Sequence, residues 1–187
     1  RAGRSAIKAP PVVADGIVTV ANFVEQSLYR QQLDVQPEAL TPEAAWRYAD
    51  AVVDRQRNRL ICIREDHSDH SDQAVNTVAA VSLETGETTV LTAGNDFYSS
   101  SRLSPDGKRL AWLTWNHPNM PWDGCELWVA EIDGEGGLTA PQRVAGGAEE
   151  SIFQPEWSSD GVLHFVSDRS GWWNLYRWCA GSVEALW

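Results

Sequence analysis

Two acidic stretches contain the side chains whose types and spacing could do chemistry. The run Glu65–Asp72 places His67 and His70 among carboxylates, and this combination could ligate a divalent metal ion. A polar run of this kind is more typical of a solvated loop between strands, so we predict no metal site and no cofactor.

The adjacent carboxylates of Glu149-Glu150 could hold an ammonium group through charge-assisted hydrogen bonds. Such a pair is also typical of a solvated connector, and the residues alone leave both interpretations open.

The nucleophile of a serine hydrolase is missing from the sequence. It normally occupies a Gly-x-Ser-x-Gly turn between a strand and a helix, and the chain contains no such motif. None of the four histidines lies in a matching context. We therefore predict no catalytic residue in this chain.

A recurring turn motif organises the elements that must position these side chains. Ser104-Pro105-Asp106-Gly107 and Ser158-Ser159-Asp160-Gly161 each lie between two apolar runs, about fifty residues apart. Asp-Gly between alternating hydrophobic residues is a strong hairpin signal, because Asp bonds its own backbone and Gly supplies a positive φ. Asp15-Gly16 is an earlier copy. The run Asp54–Asn58 is a degenerate one, in which Asn58 is the residue that tolerates positive φ, and the chain thus contains four copies.

Short apolar runs around each copy predict about four strands per unit. The second unit shows the pattern with Tyr48–Val53, Arg59–Ile63, Asn76–Leu83 and Thr88–Leu91. The first unit yields only three runs, at Gly16–Val20, Ser27–Leu33 and Glu38–Thr41. We predict a single helical turn over Thr41–Trp46, with Thr41 as its cap and Pro42 at the first helical position.

The repeat period determines the predicted fold class. Four-stranded repeats of roughly 40 to 50 residues indicate a β-propeller, in which each blade buries its faces against its neighbours. We predict an all-β chain with four-stranded antiparallel blades, and about four blades in this segment. Their predicted bounds are residues 1–42, 43–92, 93–146 and 147–187. A β-sandwich is the alternative, which shared motifs at matching strand positions disfavour.

Tryptophan is abundant, with ten residues in 187. Large flat side chains suit the wide gap between twisted sheets. We expect inter-blade packing for Trp112, Trp128, Trp157 and Trp178.

Composition excludes several classes of partner. The chain is 43% hydrophobic, and its formal net charge of −11 comes without a basic stripe, so we predict no nucleic-acid binding. No apolar run is long enough to cross a bilayer, so we also predict no membrane association. Cys62, Cys125 and Cys179 are widely spaced and form no CxxC motif, which favours reduced, buried thiols and a cytoplasmic location.

Three segments give the chain a resemblance to a known family. They are Ser104–Trp128, Ser151–Ser158 and Ser167–Tyr176. With these runs the chain from about residue 12 onward resembles the N-terminal propeller of the prolyl oligopeptidase family of serine peptidases. The branch that it resembles most contains the acylaminoacyl-peptidases and dipeptidyl-aminopeptidase-like enzymes.

The resemblance implies a noncatalytic part of a hydrolase. In this family the catalytic triad lies in a C-terminal α/β-hydrolase domain, which is absent from this chain and would be its partner. The propeller would gate and orient peptide substrates for hydrolysis near their amino terminus. The resemblance also implies substrate-binding roles for Glu149, Glu150, Trp122 and Asp123, with the glutamate pair holding a free amino terminus. Because Ser-Pro-Asp-Gly propellers also resemble TolB-like proteins, a stand-alone binding module is the alternative.

Strand alternation predicts which loops share a face. Turns between first and second strands lie on one face with those between third and fourth strands, and the remaining connections lie on the other. The second face would carry Arg64–Gln73, Asn95–Tyr98, Asn116–Asp123, Glu149-Glu150 and Asp168–Trp173. It is the face that the family presents to its hydrolase domain.

An incomplete ring also predicts exposed blade faces. The outer blades would expose apolar residues near Gly16–Val20 and Val183–Trp187. The segment could cover them by closing as a small ring. Self-association of two copies through these open faces is the favoured outcome.

Overall fold

The computed structural model describes residues 11–22, 24–69, 73–179 and 181–186. It contains four antiparallel sheets, each built from four consecutive strands in chain order. This up-and-down arrangement confirms the predicted fold class, a partial β-propeller of four-stranded blades.

The blades follow one another along the chain. Blade 1 contains β1 (Val12–Ala14), β2 (Ile17–Ala21), β3 (Leu28–Gln32) and β4 (Glu38–Ala39). Blade 2 contains β5 (Trp46–Asp54), β6 (Arg59–Asp66), β7 (Val75–Ser82) and β8 (Thr88–Thr92). Blade 3 contains β9 (Phe97–Leu103), β10 (Arg109–Trp115), β11 (Glu126–Ile132) and β12 (Leu138–Gly146). Blade 4 contains β13 (Ile152–Trp157), β14 (Leu163–Ser167), β15 (Asn174–Cys179) and β16 (Ser182–Ala185).

Two local predictions differ from the structure. The first strand of blade 1, Val12–Ala14, was not predicted, because it has only three residues and directly follows the Pro10-Pro11 pair, of which Pro10 lies outside the described residues. The helical turn predicted over Thr41–Trp46 is wrong. Thr41 is buried, and its hydroxyl accepts a hydrogen bond from the backbone N–H of Leu28 at 2.9 Å instead of capping a helix.

Hydrogen bonds within the Ser-Pro-Asp-Gly turn explain why this motif forms hairpins. The Ser104 hydroxyl donates to the Asp106 carboxylate at 2.6 Å and accepts from the backbone N–H of Arg109 at 2.9 Å. The same carboxylate accepts from the backbone N–H of Lys108 at 3.1 Å. The hydrogen bond from Ser104 is the main cause of the lowered pKa of Asp106. The motif therefore satisfies its own polar groups at the point where the chain reverses.

The other copies of the turn adopt the predicted backbone conformation. Asp15 and Gly16 have φ of 52° and 77°, and Gly161 has φ of 81°. Asn58 has φ of 48° and ends a short 3-10 helix over Arg55–Arg57. The prediction that Asn58 takes the left-handed conformation in the degenerate copy is confirmed.

Three apolar clusters join consecutive blades. Blades 1 and 2 share one around Leu28, Leu60 and Val81. Blades 2 and 3 share one that includes Ile61 and Trp112, and blades 3 and 4 share one that includes Leu127, Phe165 and Trp178.

The tryptophans expected between blades are found there. Trp112 and Trp128 stack within blade 3, with ring centroids 6.4 Å apart, and both pack in the cluster shared with blade 2. Trp157 and Trp178 meet edge to face within blade 4, also at 6.4 Å, and both pack in the cluster shared with blade 3. The guanidinium of Arg109 in blade 3 lies 4.6 Å from the ring centroid of Trp157 in blade 4. Inter-blade packing of these tryptophans is confirmed.

Polar contacts also cross the blades along their first strands. Arg102 in blade 3 donates to Glu156 of blade 4 at 2.8 Å and to Asp50 of blade 2 at 3.3 Å. Asp50 also accepts a hydrogen bond from the backbone N–H of Ser100. One arginine thus connects three consecutive blades.

The connections between strands lie on two faces. We define the turn face by the hairpin turns 15–16, 55–58, 104–108, 133–137 and 158–162, and the loop face by the segments 67–69, 93–96, 116–125, 147–151 and 168–173. Contacts between blades occur within each face. On the turn face Gln56 donates to the backbone oxygen of Asp106 at 2.7 Å, and on the loop face Asn76 donates to that of Asp96 at 2.6 Å.

The outer side of blade 4 exposes apolar side chains. Phe153 and Leu175 are 57% and 46% exposed, and both pair in register with Val166 on the central strand β14. Val20 of blade 1 and Leu186 of blade 4 are also exposed, as predicted, but Val183 is half-buried and packs against the cluster that blades 3 and 4 share. Trp187 lies outside the described residues.

The cysteines are all free, but they differ in burial. Cys62 and Cys125 are buried as predicted, and burial raises the pKa of Cys62 to about 12. Cys179 is exposed, so the prediction of burial is wrong at this position. It lies on β15, whose exposed residues alternate with the buried ones that pack on blade 3. Within the described part of the chain, no helix has the length and apolar character needed to cross a membrane.

Candidate functional site

Glu150 is the best-anchored carboxylate of the loop face. Its carboxylate accepts two hydrogen bonds from Arg169, at 2.9 and 3.2 Å, and one from the Ser167 hydroxyl at 2.7 Å. Its backbone oxygen accepts from the N–H of Cys125 at 3.0 Å. Arg169 in turn lies 5.2 Å from the ring centroid of Tyr176. Glu150 therefore connects blade 4 to the start of β11 in blade 3.

These contacts also determine the acid response of Glu150. Burial by itself raises its pKa, but the hydrogen bonds from Arg169 and Ser167 and the charge of Arg169 lower it below the ordinary value. The carboxylate therefore stabilises the fold fully above about pH 4.3, and this contribution is lost as the pH falls through the lower folded pKa.

We expect Glu150→Gln to weaken this acid dependence. The thermal midpoint of the variant should change less between about pH 5 and pH 3 than that of the unaltered chain, because one linked proton no longer binds on unfolding. Glu149→Gln is the control for the loss of one negative charge. An unchanged acid slope in Glu150→Gln would contradict the role assigned to the Arg169 pair.

Glu149 differs from its neighbour. Its side chain is exposed, and none of the described side chains hydrogen bonds to its carboxylate. The pair predicted to bind an amine thus consists of one carboxylate already paired with an arginine and one that faces solvent. Sequence alone did not reveal this difference, because Arg169 lies nineteen residues further along the chain.

Trp122 and Asp123 lie on the loop that precedes β11. Trp122 is 65% exposed. The Asp123 carboxylate accepts a hydrogen bond from the backbone N–H of Met120 at 2.9 Å, and the Asp123 N–H donates to the Met120 oxygen. Asp123 thus holds the turn that presents Trp122. The Ser151 hydroxyl, which donates to the Pro121 oxygen at 2.7 Å, joins this loop to the connector that carries Glu149 and Glu150.

Two further tryptophans are exposed on the loop face. Trp172 and Trp173, between β14 and β15, are 80% and 53% exposed. Their segment follows Asp168, which accepts a hydrogen bond from the backbone N–H of Ser151 at 2.8 Å. The sequence placed this segment on the loop face without identifying its tryptophans as site residues. Their exposure contrasts with the burial of Trp112 and Trp178, and together with Trp122 they make an exposed aromatic patch that suits a contact surface.

Several polar side chains of the acidic run Glu65–Asp72 already have partners, both inside the run and on β5. His67 lies 3.2 Å from Glu65, and Asp66 accepts a hydrogen bond from the Trp46 indole at 2.9 Å. His70, Ser71 and Asp72 lie outside the described residues. Among residues 11–22, 24–69, 73–179 and 181–186, no group of three potential metal ligands is close enough together to hold an ion.

Comparison with known proteins gives a consistent result. No family model and no curated protein matches the sequence. A solved structure of a puromycin hydrolase superimposes with a TM-score of 0.87 at 33% identity, over 95% of this chain and 30% of that one. A puromycin-hydrolysing peptidase from Mycobacterium tuberculosis gives a TM-score of 0.85 at 35% identity, with the same coverage. A putative TolB from Agrobacterium tumefaciens gives 0.68 at 20% identity, over 96% of this chain and 61% of that one, which shows a shared fold alone.

The four blades and the exposed loop face define a β-propeller segment. The hydrolase comparisons confirm its resemblance to the N-terminal propeller of the prolyl oligopeptidase family. It spans 30% of the length of the two puromycin-hydrolysing proteins described above.

Proposed function

We propose that this segment is the noncatalytic propeller of a serine peptidase, in which it gates and orients substrates with a free amino terminus. The observation that carries the proposal is the identity of 33% and 35% to puromycin-hydrolysing proteins over 95% of the chain. The partner would be a C-terminal α/β-hydrolase domain, and the reaction would be hydrolysis next to the amino-terminal residue. Puromycin and short peptides are the candidate substrates.

The loop face supports this function through its chemistry. Glu149 offers an exposed carboxylate for the ammonium group, and Glu150 is held by Arg169 and positions the connector. Trp122 offers an exposed ring for the substrate side chain. Asp123 contributes by fixing the turn on which Trp122 lies. In this arrangement Glu149 is the carboxylate that contacts the substrate.

Replacement of Glu149 tests the proposed function. In the peptidase that contains this segment, Glu149→Gln should lower kcat/KM for an aminoacyl p-nitroanilide by about tenfold, because a charge-assisted hydrogen bond is lost. The N-acetylated substrate should be hydrolysed at an unchanged rate. Glu131→Gln, on β11 away from the loop face, is a matched control.

Three results would reject the assignment. Equal losses for free and acetylated substrates would exclude amine recognition by Glu149. Turnover of either substrate by the 187-residue segment alone would contradict its noncatalytic role. If the complete peptidase did not hydrolyse puromycin, puromycin would be excluded as a substrate.

A stand-alone TolB-like binding module is the weaker candidate. Its support is a shared fold at 20% identity, against 33% and 35% for the hydrolases.

Self-association through open blade faces remains a proposal, and the exposed side chains of Phe153 and Leu175 are the surface that would support it. A cytoplasmic location is proposed with the peptidase function.

A further inference from the structure

A cavity of about 400 Å³ lies between blades 1 and 2 and opens on the turn face. Its apolar walls include Leu60 and Val53 of blade 2 and Ile17 of blade 1. The exposed turn residues Asp15 and Asn58 lie at its mouth. An apolar cavity of about 150 Å³ is already large enough to bind benzene. The space between these two blades can therefore take a ligand that contains a ring.

The repeat shows how this interface differs from the next two. Two residues after a buried leucine, the second strand of each blade pairs in register with the third strand, and these pairs are Cys62–Ala79, Trp112–Trp128 and Phe165–Tyr176. In blades 3 and 4 the two rings stack, with centroids 6.4 and 5.9 Å apart. Blade 2 has a thiol and a methyl group at this place. The interface between blades 1 and 2 therefore receives no stacked rings from this position.

Thr19 is the polar side chain inside the cavity. It is 7% exposed and lines the cavity, and its hydroxyl forms no hydrogen bond with any described residue. Unlike unpaired polar atoms that are fully enclosed, such as Ser101 Oγ, the Thr19 oxygen retains accessible surface. Because the rest of the residue is buried, this surface faces the cavity. A buried hydroxyl without a protein partner is unfavourable unless a ligand or water bonds to it.

The charged residues that line the cavity are paired or face solvent. Asp15 is paired with Arg55 at 3.1 Å, and Arg30 is paired with Glu38 at 3.0 Å. Glu84 is exposed. The interior thus combines apolar walls with one uncharged hydroxyl, and this combination favours a neutral ligand with a single hydrogen-bonding group.

We propose that this cavity is a binding site for a small phenol, with the ring between the blades and the phenol hydroxyl bonded to Thr19. Both hydroxyls can donate and accept, so the hydrogen bond can form in either direction. The ring would contribute to this interface the kind of group that stacked side chains contribute to the next two. The cavity opens on the turn face, whereas the residues of the candidate site lie on the loop face, so the inference does not rest on the proposed function.

The test follows methyl resonances of the 187-residue chain by ¹³C-edited NMR, with p-cresol and toluene as probes. p-Cresol should shift the methyl resonances of Ile17 and Leu60, and the shifts should saturate. Thr19→Val keeps the shape of the side chain and removes the hydroxyl, so it should weaken p-cresol binding about 2- to 12-fold. Toluene has no hydroxyl and should bind equally to both chains.

Two further variants serve as controls. Thr139→Val makes the same chemical change at an exposed position of β12, so it should leave the binding of both probes unchanged. Ala14→Leu adds apolar volume to the wall of the cavity, so it should weaken the binding of both probes.

The proposal fails on any of three outcomes. Shifts that do not saturate, or that occur away from Ile17 and Leu60, would show that the cavity is not a binding site for the phenol. Equal p-cresol affinity of the unaltered chain and Thr19→Val would exclude the hydrogen bond to Thr19. An equal loss of toluene affinity in Thr19→Val would show that the methyl group changes the cavity itself, and the assignment of a phenol would be wrong.

Discussion

Replacing Gly146 by alanine is expected to destabilise the chain by about 3 to 5 kcal/mol, the largest effect that we predict. Gly146 ends β12 with φ of +91°, a conformation that disfavours any other residue. An added Cβ would lie 2.1 Å from the backbone oxygen of Cys125 and 2.9 Å from the Glu126 Cα. Backbone atoms of a central strand cannot move aside singly, so the end of β12 must separate from β11.

This separation would also displace the candidate site, because Gly146 is followed by the connector that carries Glu149. Urea unfolding followed by tryptophan fluorescence measures the loss. Gly147→Ala is the matched control at the adjacent position, where an added Cβ meets nothing within 4 Å and φ is not positive. Gly16→Ala, with φ of +77° and open space, isolates the backbone strain at about 1 to 2 kcal/mol. If Gly146→Ala lowered the free energy of unfolding no more than Gly16→Ala does, the backbone of β11 would be able to move away from the added Cβ, and the prediction would be wrong.

The second large effect is expected at Asp54, the last residue of β5, which directly precedes the 55–58 turn. Its side chain is fully buried and accepts from Arg59 at 2.9 Å and Arg57 at 3.2 Å. Arg59 and Arg57 also donate to backbone oxygens of Gly136 and Gly107 in blade 3, at 2.8 and 2.9 Å. The carboxylate therefore holds two arginines that connect blades 2 and 3.

Asp54→Asn keeps the shape of the side chain but leaves these guanidinium groups without a counter-charge. We expect a loss of about 3 kcal/mol in the free energy of unfolding, at the low end for a broken buried pair because Arg57 is partly exposed. Asp15→Asn is the control. The Asp15–Arg55 pair joins blades 1 and 2 but is mostly exposed, so its loss should change stability by less than about 1 kcal/mol. If urea unfolding showed a similar loss of unfolding free energy for both variants, burial of Asp54 would not be the reason for its contribution to stability.

The sequence determined the fold class because the repeat is encoded locally. Each hairpin turn depends on neighbouring residues such as Ser104, Asp106 and Gly107, whose hydrogen bonds form within the turn itself. Strand alternation then fixed which loops share a face. The first strand of blade 1 escaped prediction because three residues provide too short a pattern.

Tertiary structure decided what the individual side chains of the site do. Glu149 and Glu150 look equivalent in the sequence, but only Glu150 meets Arg169, because the connector and the β14–β15 loop converge on the loop face. The first strands of blades 2, 3 and 4 contain bulges, with φ near 50° at Asp50, Ser100 and Gln154. These three positions share no residue type, so the sequence does not predict the bulges. Pairing between distant residues depends on how the blades pack against one another, and local sequence patterns do not predict that packing.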